Sequence, residues 1–224
     1  MLVIFDLDGT LLDTLEDLYR CGNHILDLHG HPTHSKEAYR YFVGNGIRKL
    51  IERALPVKYR DPQYIERLFR EFLDFYDIHK MDYTKPYSGI VELLEYLQNR
   101  GIQMAVASNK AHEAMDELMR HYFPFIQFVA VLGHRPGVPP KPSPEIIQDI
   151  LKISGEKITE TLYVGDSAVD METARNAHLK KVGVLWGFRD KPELETSGAD
   201  YFLESPDIQK FEEILHHFSQ TEKG

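Results

Sequence analysis

Cysteine is nearly absent from this chain of 224 residues, in which Cys21 is the only one. A single cysteine excludes an intramolecular disulfide framework and a metal cage built from thiolates. The residue is expected to pack as a small hydrophobic side chain rather than to act as a nucleophile. We therefore expect a protein of a reducing compartment.

Long apolar runs are also lacking. No segment reaches the roughly eighteen consecutive apolar residues of a membrane span, and no basic region precedes a hydrophobic signal segment near the N-terminus. The expected location is the cytoplasm, and no membrane partner is predicted.

Clusters of positive charge are lacking: acidic residues outnumber Lys and Arg by 35 to 26, which gives a formal net charge of -9, and Lys and Arg form no cluster. This argues against a general nucleic-acid binder, because phosphate backbones require clustered cations. An anionic substrate would need a local positive charge instead. The sequence leaves the oligomeric state open.

Short apolar runs that alternate with helical patterns are the main feature of most of the chain. Such alternation predicts an α/β fold with a Rossmann-like parallel sheet covered by helices. A final amphipathic helix is expected around 211–218, and the polar tail 219–224 is expected to fray. The predicted strands are 1–5, 102–107, 128–133, 161–165, 181–186 and 199–203.

The segment 15–82 shows helical patterns and no convincing strand. Leu15, Leu18 and Ile25 share one helical face, and a second apolar stripe runs through 68–76. We interpret 15–82 as a helical domain inserted after the first strand, and 1–14 with 83–224 as the α/β core domain. Thr14 is a candidate cap for the first inserted helix.

Two acids follow the first predicted strand directly. Asp6 and Asp8 are one residue apart, so their side chains point the same way in an extended segment, and Gly9 allows a sharp turn behind them. A lone DLDG segment also fits a solvated turn. The interpretation therefore depends on the rest of the chain.

Three further polar clusters stand where other predicted strands or loops end. Ligands of open α/β sheets bind outside the carboxyl ends of the strands, so these clusters are expected to meet. The clusters are Ser108 with Asn109, Lys141 between two prolines, and Asp166 with Asp170 in VGDSAVD.

Four carboxylates at one edge of a sheet repel each other strongly, and Lys141 alone supplies too little positive charge. A divalent cation is therefore predicted. Ligands that are all oxygen, with few of them from protein, favour Mg²⁺, which shares its coordination with substrate phosphate.

The segments DLDGT and GDSAVD, with Ser108 and Lys141 between them, match in order the four motifs of the haloacid dehalogenase superfamily of phosphatases. The resemblance covers the whole chain. FVGNGIRKLIERAL, ASNK and VLWGFR also resemble the phosphoglycolate phosphatase branch, which carries a helical cap domain after the first motif. The chain departs from that family at Ser88, where Pro is common, and at His178, where Gly is common.

The resemblance implies a magnesium-dependent phosphomonoester hydrolase that works through an aspartyl-phosphate, with 2-phosphoglycolate as the first candidate substrate. Asp6 is then the nucleophile, and Asp8 is the acid and base. The implied metal site comprises the Asp6 side chain, the Asp8 carbonyl, Asp166 and Asp170, and the implied phosphoryl clamp comprises Ser108, Asn109 and Lys141.

Substrate choice is expected to lie in the cap, where Arg48 and Lys49 are candidates for binding a substrate carboxylate. Their interpretation as solvated helix charges is favoured. The irregular spacing of His29, His31 and His34 likewise favours a solvated loop over a zinc site.

Three other functions compete with this interpretation, and a fourth is disfavoured. A sugar phosphomutase of the same fold would use the same residues, and an inorganic pyrophosphatase or a non-catalytic phosphate-binding regulator would also fit the scaffold. A haloacid dehalogenase is disfavoured, because that chemistry does not use the acid at Asp8.

Overall fold

The computed structural model describes residues 1–221, and they fall into two compact units. Met1–Leu12 and the chain from Pro86 onward form one, called here the α/β unit, and Asp13–Lys85 forms the other, called the helical unit. The domain boundaries inferred from the sequence stay a prediction. In the part of the chain that is described, no helix has both the length and the apolar character needed to cross a membrane.

A six-stranded sheet forms the centre of the α/β unit. All five neighbouring pairs of strands are parallel, which confirms the predicted sheet type. In chain order the eight strands within residues 1–221 are β1 (Leu2–Phe5), β2 (Leu12–Asp13), β3 (Lys85–Pro86), β4 (Gln103–Ala111), β5 (Ala130–His134), β6 (Thr161–Gly165), β7 (Lys180–Val184) and β8 (Tyr201–Leu203). The sheet has the order β5-β4-β1-β6-β7-β8, and β2 pairs separately with β3.

The helical unit contains four α-helices. The predicted apolar faces are buried in the first and the last of them, including Leu18 and Ile25 in one and Leu68 and Phe72 in the other. These helices are α1 (Leu15–Leu28), α2 (Lys36–Phe42), α3 (Ile47–Ala54) and α4 (Pro62–His79).

The described part of the α/β unit contains six more α-helices: α5 (Ile90–Asn99), α6 (His112–Tyr122), α7 (Glu145–Ser154), α8 (Ala168–Asn176), α9 (Lys191–Thr196) and α10 (Ile208–Thr221). Neighbouring residues of β1 point to opposite faces of the sheet. Ile4 packs in a cluster with Ile147 of α7 and Ala174 of α8, whereas the Phe5 ring stacks on Phe211 of α10. Helices therefore cover both faces.

Two expectations need correction, one about the start of α1 and one about the C-terminal tail. Thr14 occupies the position before α1, but its hydroxyl makes no hydrogen bond within residues 1–221, and Asp13 Oδ1 accepts from the Leu15 amide at 3.3 Å instead. The first part of the tail expected to fray is helical, since α10 continues to Thr221. Positions 222–224 lie outside the described residues.

Strand β4 runs further than predicted and contains Ser108 and Asn109, which the sequence placed just after the end of the strand. Ala107 pairs with Leu132 of β5 and Ala111 pairs with His134, so three residues of β4 lie opposite one residue of β5. Such a bulge bends a strand and re-aims its side chains, and bulges are frequent beside active sites.

Candidate active site

Lys141 lies at the centre of the polar cluster and is almost fully buried. Its Nζ lies 2.7 Å from Asp6 Oδ1 and 2.7 Å from Asp170 Oδ1. The Ala107 carbonyl, at 2.9 Å, and the Tyr163 hydroxyl, at 3.0 Å, are within hydrogen-bonding distance too. Burial opposes the charge of Lys141, but Asp170 and Asp6 outweigh it and raise the pKa of the ammonium well above its usual value.

The carboxylate of Asp170 accepts four hydrogen bonds from the protein. Oδ1 accepts from Lys141 Nζ and from the Tyr163 hydroxyl, at 2.7 and 3.0 Å. Oδ2 accepts from the Ser167 amide and hydroxyl, at 3.1 and 2.6 Å, because Asp170 lies one turn after the residue that precedes α8. This carboxylate is therefore held rigidly and is suited to orient Lys141.

Asp166 lies at the end of β6, in a cradle of close backbone. Its Oδ2 accepts from the Phe188 amide at 2.6 Å. A Cβ added at Gly9 would stand 2.2 Å from Asp166 Oδ2, and one added at Gly187 would stand 2.4 Å from Asp166 Cβ. Both positions therefore require glycine. Gly187 lies in the VLWGFR segment, but no local pattern in the sequence indicates that Asp166 packs against it.

Three of the predicted acids come together. Asp6, Asp166 and Asp170 each offer a carboxylate oxygen, and these oxygens lie within 4.8 Å of one another. Burial raises the pKa of Asp6 to about 7, with Lys141 opposing and the Asp170 charge adding to the effect. Burial, followed by the Asp170 and Asp6 charges, also raises the pKa of Asp166. The protein alone thus disfavours the ionised forms of Asp6 and Asp166.

Asp8 departs from the expected arrangement of four converging carboxylates. Its two oxygens lie 3.2 and 3.3 Å from Nζ of Lys110, whose side chain is only 3% exposed. The prediction from the sequence counted Lys141 as the only positive charge near the acids. The structure adds a second buried cation, Lys110. The lysine stood in the ASNK segment, but sequence alone could not tell a buried lysine from a solvated one.

The Ser108–Asn109 pair meets Lys141 through Asn109. The sequence predicted that these two clusters would come together. Asn109 Oδ1 accepts from the Lys141 amide at 2.8 Å, and Asn109 Nδ2 donates to the Lys141 carbonyl at 3.0 Å. Ser108 is buried, and its Oγ accepts from the Lys110 amide at 3.2 Å. The Asn109 side chain positions the Lys141 backbone, and a contact of either residue with substrate stays a prediction.

The candidate substrate-binding residues of the helical unit form ion pairs inside that unit. Arg48 pairs with Glu66 and lies over the Phe69 ring, 4.2 Å from its centroid. Lys49 pairs with Glu52 at 2.7 Å. Their binding of a substrate carboxylate stays a prediction.

His29, His31 and His34 lie in the loop between α1 and α2, but their rings are packed rather than solvated, contrary to the expectation. His31 is buried and bonds to the Tyr64 hydroxyl at 2.6 Å. His34 bonds to the Ala54 carbonyl at 2.7 Å, and His29 bonds to Glu71. The rings are packed because aromatic residues of the unit surround them, a long-range effect that local spacing does not record.

Comparison with known proteins agrees with this geometry. The sequence profile of the haloacid dehalogenase-like hydrolases matches residues 3–184. Phosphoglycolate phosphatases of Mesorhizobium japonicum and Aquifex aeolicus are 30% and 31% identical to this chain, over 96% and 91% of it and 96% and 92% of their own lengths. A crystal structure from Lactobacillus delbrueckii subsp. bulgaricus, provisionally described as a phosphoglycolate phosphatase, is 31% identical. Its TM-score is 0.89, and the match covers 95% of this chain and 97% of that one.

A profile match over most of the chain, joined to relatives that cover nearly all of it, establishes the relationship. The chain belongs to the haloacid dehalogenase-like hydrolase family and is a phosphatase similar to the phosphoglycolate phosphatases.

Proposed function

We propose that this phosphatase is a magnesium-dependent phosphomonoester hydrolase that forms an aspartyl-phosphate at Asp6. The observation that carries the proposal is the contact of Asp6 with Lys141, 2.7 Å long and buried beside two further acids. A carboxylate next to a fixed cation is suited to attack a phosphoryl group whose negative charge that cation stabilises.

The residues of the cluster fit a hard divalent cation. Lys141 contacts Oδ1 of Asp6, and the Phe188 amide contacts Oδ2 of Asp166, which leaves the other oxygen of each carboxylate for a further ligand. Oxygen donors in small number suit Mg²⁺, which keeps several waters and binds substrate phosphate. The proposed ligands are the Asp6 and Asp166 carboxylates and the Asp8 carbonyl. Asp170 acts through its hydrogen bonds.

A bound Mg²⁺ would neutralise charge on the transferring phosphoryl group. Asp6 forms a bond to phosphorus as the bond to the leaving oxygen breaks, and Asp8 gives a proton to that oxygen. A water then attacks the phosphoryl group while Asp8 takes its proton, which releases phosphate and restores Asp6. Splitting one difficult step into two easier ones is the general advantage of a covalent intermediate.

Lys141 stabilises the phosphoryl oxygens, and Asp170 with Tyr163 holds its ammonium in place. Asn109 fixes the lysine from the backbone side. Ser108 is proposed to donate to another phosphoryl oxygen. In this arrangement the rigidly held Lys141 ammonium stabilises the charge of the phosphoryl group in both steps of the reaction.

The proposed substrate is a small phosphorylated metabolite, and 2-phosphoglycolate is the first candidate. The relatives named phosphoglycolate phosphatase support it, because their similarity extends over nearly the whole chain. The helical unit, with Arg48 as its candidate contact, is proposed to act as the cap that selects the substrate. We further propose a cytoplasmic protein that binds neither nucleic acid nor membranes.

The decisive experiment measures phosphate release from 2-phosphoglycolate, sugar phosphates, nucleotides, pyrophosphate and hexose 1-phosphates, with Mg²⁺ and with a chelator. Preferred, magnesium-dependent and continuous release from 2-phosphoglycolate is expected. Isomerisation of a hexose 1-phosphate with little release would identify a phosphomutase, and preferred cleavage of pyrophosphate would identify a pyrophosphatase. No turnover and no magnesium binding would leave a regulatory role and overturn the proposal.

A further inference from the structure

Lys110 is a buried cation that the reaction described above does not use. It stands in the bulged part of β4, and its amide donates to Ser108 Oγ at 3.2 Å. Its Nζ approaches both oxygens of Asp8, at 3.2 and 3.3 Å. Exposed lysines are common, but a lysine with a side chain only 3% exposed is rare without a specific partner or role.

The two buried lysines serve different acids. Lys141 contacts Asp6 and Asp170, the acids on the side of the transferring phosphoryl group. Lys110 contacts Asp8, the acid that faces the leaving oxygen in the proposed reaction. The positive charge of Lys110 is therefore placed beside the leaving group rather than beside the phosphoryl group.

Simple distances indicate what that charge can reach. A leaving oxygen that is hydrogen-bonded to Asp8 lies about 2.7 Å from the carboxylate. In a substrate whose carboxylate is one carbon from this oxygen, the carboxylate oxygens lie about 3 Å further away, as ordinary bond lengths dictate. Since Nζ lies beside both Asp8 oxygens, a leaving group bound on that side of Asp8 can bring its carboxylate within contact distance of Lys110.

We propose that Lys110 is a specificity-determining residue that binds an anionic group on the leaving part of the substrate, namely a carboxylate one carbon from the ester oxygen. The inference rests on the proposed hydrolysis of phosphomonoesters. It locates the selectivity for a carboxylate in the α/β unit, at a residue next to the acid and base. A charge-assisted contact of this kind is shorter and stronger than a neutral hydrogen bond.

A purely structural role makes a different prediction. If Lys110 only holds Asp8 in place, its loss slows every substrate by the same factor, because every leaving group needs Asp8. If it binds the substrate carboxylate, its loss slows carboxylate substrates far more than neutral ones. The ratio of kcat/KM for two substrates therefore distinguishes the two roles.

The test compares 2-phosphoglycolate with 2-hydroxyethyl phosphate, which replaces the carboxylate by a neutral hydroxymethyl group, in the full chain with Mg²⁺. In Lys110→Met, the kcat/KM for 2-phosphoglycolate divided by that for 2-hydroxyethyl phosphate is expected to fall about 10- to 100-fold. Lys110→Arg should keep much of the preference. Lys152→Met is a matched control at an exposed lysine of α7 and should leave the ratio unchanged.

Equal loss on both substrates in Lys110→Met would overturn the proposal and assign the lysine to Asp8 alone. A wild-type protein that hydrolyses both esters equally well would also overturn it, without need of a variant that folds. The proposed function fails separately, if the wild-type protein releases phosphate from neither ester nor from the wider panel of phosphomonoesters.

Discussion

Asn109 and Lys141 are joined by two hydrogen bonds that run in opposite directions. The Asn109 carboxamide accepts from the Lys141 amide at 2.8 Å and donates to the Lys141 carbonyl at 3.0 Å. The two residues are far apart in the chain, and the pairing fixes the loop that carries the lysine to the end of β4. The Lys141 ammonium is thus positioned from both ends, by Asn109 at the backbone and by acids at the tip.

Replacing Asn109 by Ala removes both bonds and frees the Lys141 loop. The free energy of unfolding should fall by about 1–3 kcal/mol, because buried backbone groups lose their partner. The kcat/KM for phosphate release should fall about 10- to 100-fold, since small displacements of a catalytic group are costly. Denaturant unfolding and steady-state kinetics measure the two effects.

Asn176 offers a matched control for that variant. It is exposed and donates a single hydrogen bond to the carbonyl of Pro142, in the same loop. Asn176→Ala should change the free energy of unfolding by less than about 0.5 kcal/mol and leave turnover intact. Equal effects of the two substitutions would contradict the positioning role of Asn109.

Asp6→Asn tests the proposed nucleophile. The substitution keeps the shape of the side chain and removes both its charge and its nucleophilic oxygen, so turnover should fall about 1000-fold or more with little loss of stability. Phosphate release on the best substrate of the panel, together with thermal unfolding, checks both parts. Near-normal release would show that another group attacks the phosphorus.

The pKa of Asp6 predicts how stability depends on pH when metal is removed. Burial raises this pKa from 3.8 to about 7 in the folded protein. Between these values the folded state holds a proton that the unfolded state has lost, so the stability falls as pH rises from about 4 to about 7. Asp166, whose pKa is also raised, acts in the same direction.

Denaturant titrations in chelator over that pH range provide the measurement. Added Mg²⁺ should recover stability mainly at the upper end of the range, where the acids are ionised. Asp6→Asn should flatten the slope, and Asp116→Asn, at an exposed position of α6, should not. A stability that rises with pH in chelator would show that the acids are not destabilised by their burial.

The sequence predicted the sheet well, because buried parallel strands are continuous apolar runs and their ends carry the polar motifs. It predicted Asp6, Asp166 and Asp170 at one place for the same reason. It could not predict that Asp8 pairs with Lys110, since the contact joins the segment after β1 to a bulge in β4 that no local pattern signals.

Close contacts of the backbone and the hydrogen bonds of single side chains could likewise not be predicted from the sequence. Gly187 is needed because its backbone lies against Asp166, and only the folded chain brings the two together. Thr14 has the residue type and the place of a helix cap, but the backbone there turns its hydroxyl away from any partner among residues 1–221. A propensity for capping describes a preference that tertiary structure overrides.

His178 ends α8 in a conformation that suits glycine. Its φ is 60°, and the amides of His178 and Leu179 donate back to the carbonyls of Arg175 and Ala174, the pattern of a helix end closed by a left-handed residue. A side chain there costs about 1–2 kcal/mol, whereas glycine costs about 0.5–1 kcal/mol in backbone entropy. His178→Gly should therefore raise the free energy of unfolding by about 0.5–1 kcal/mol and the Tm by a few degrees. His178→Ala keeps a Cβ and should bring no such gain, so equal stabilisation by both variants in thermal unfolding would rule out relief of backbone strain as the cause.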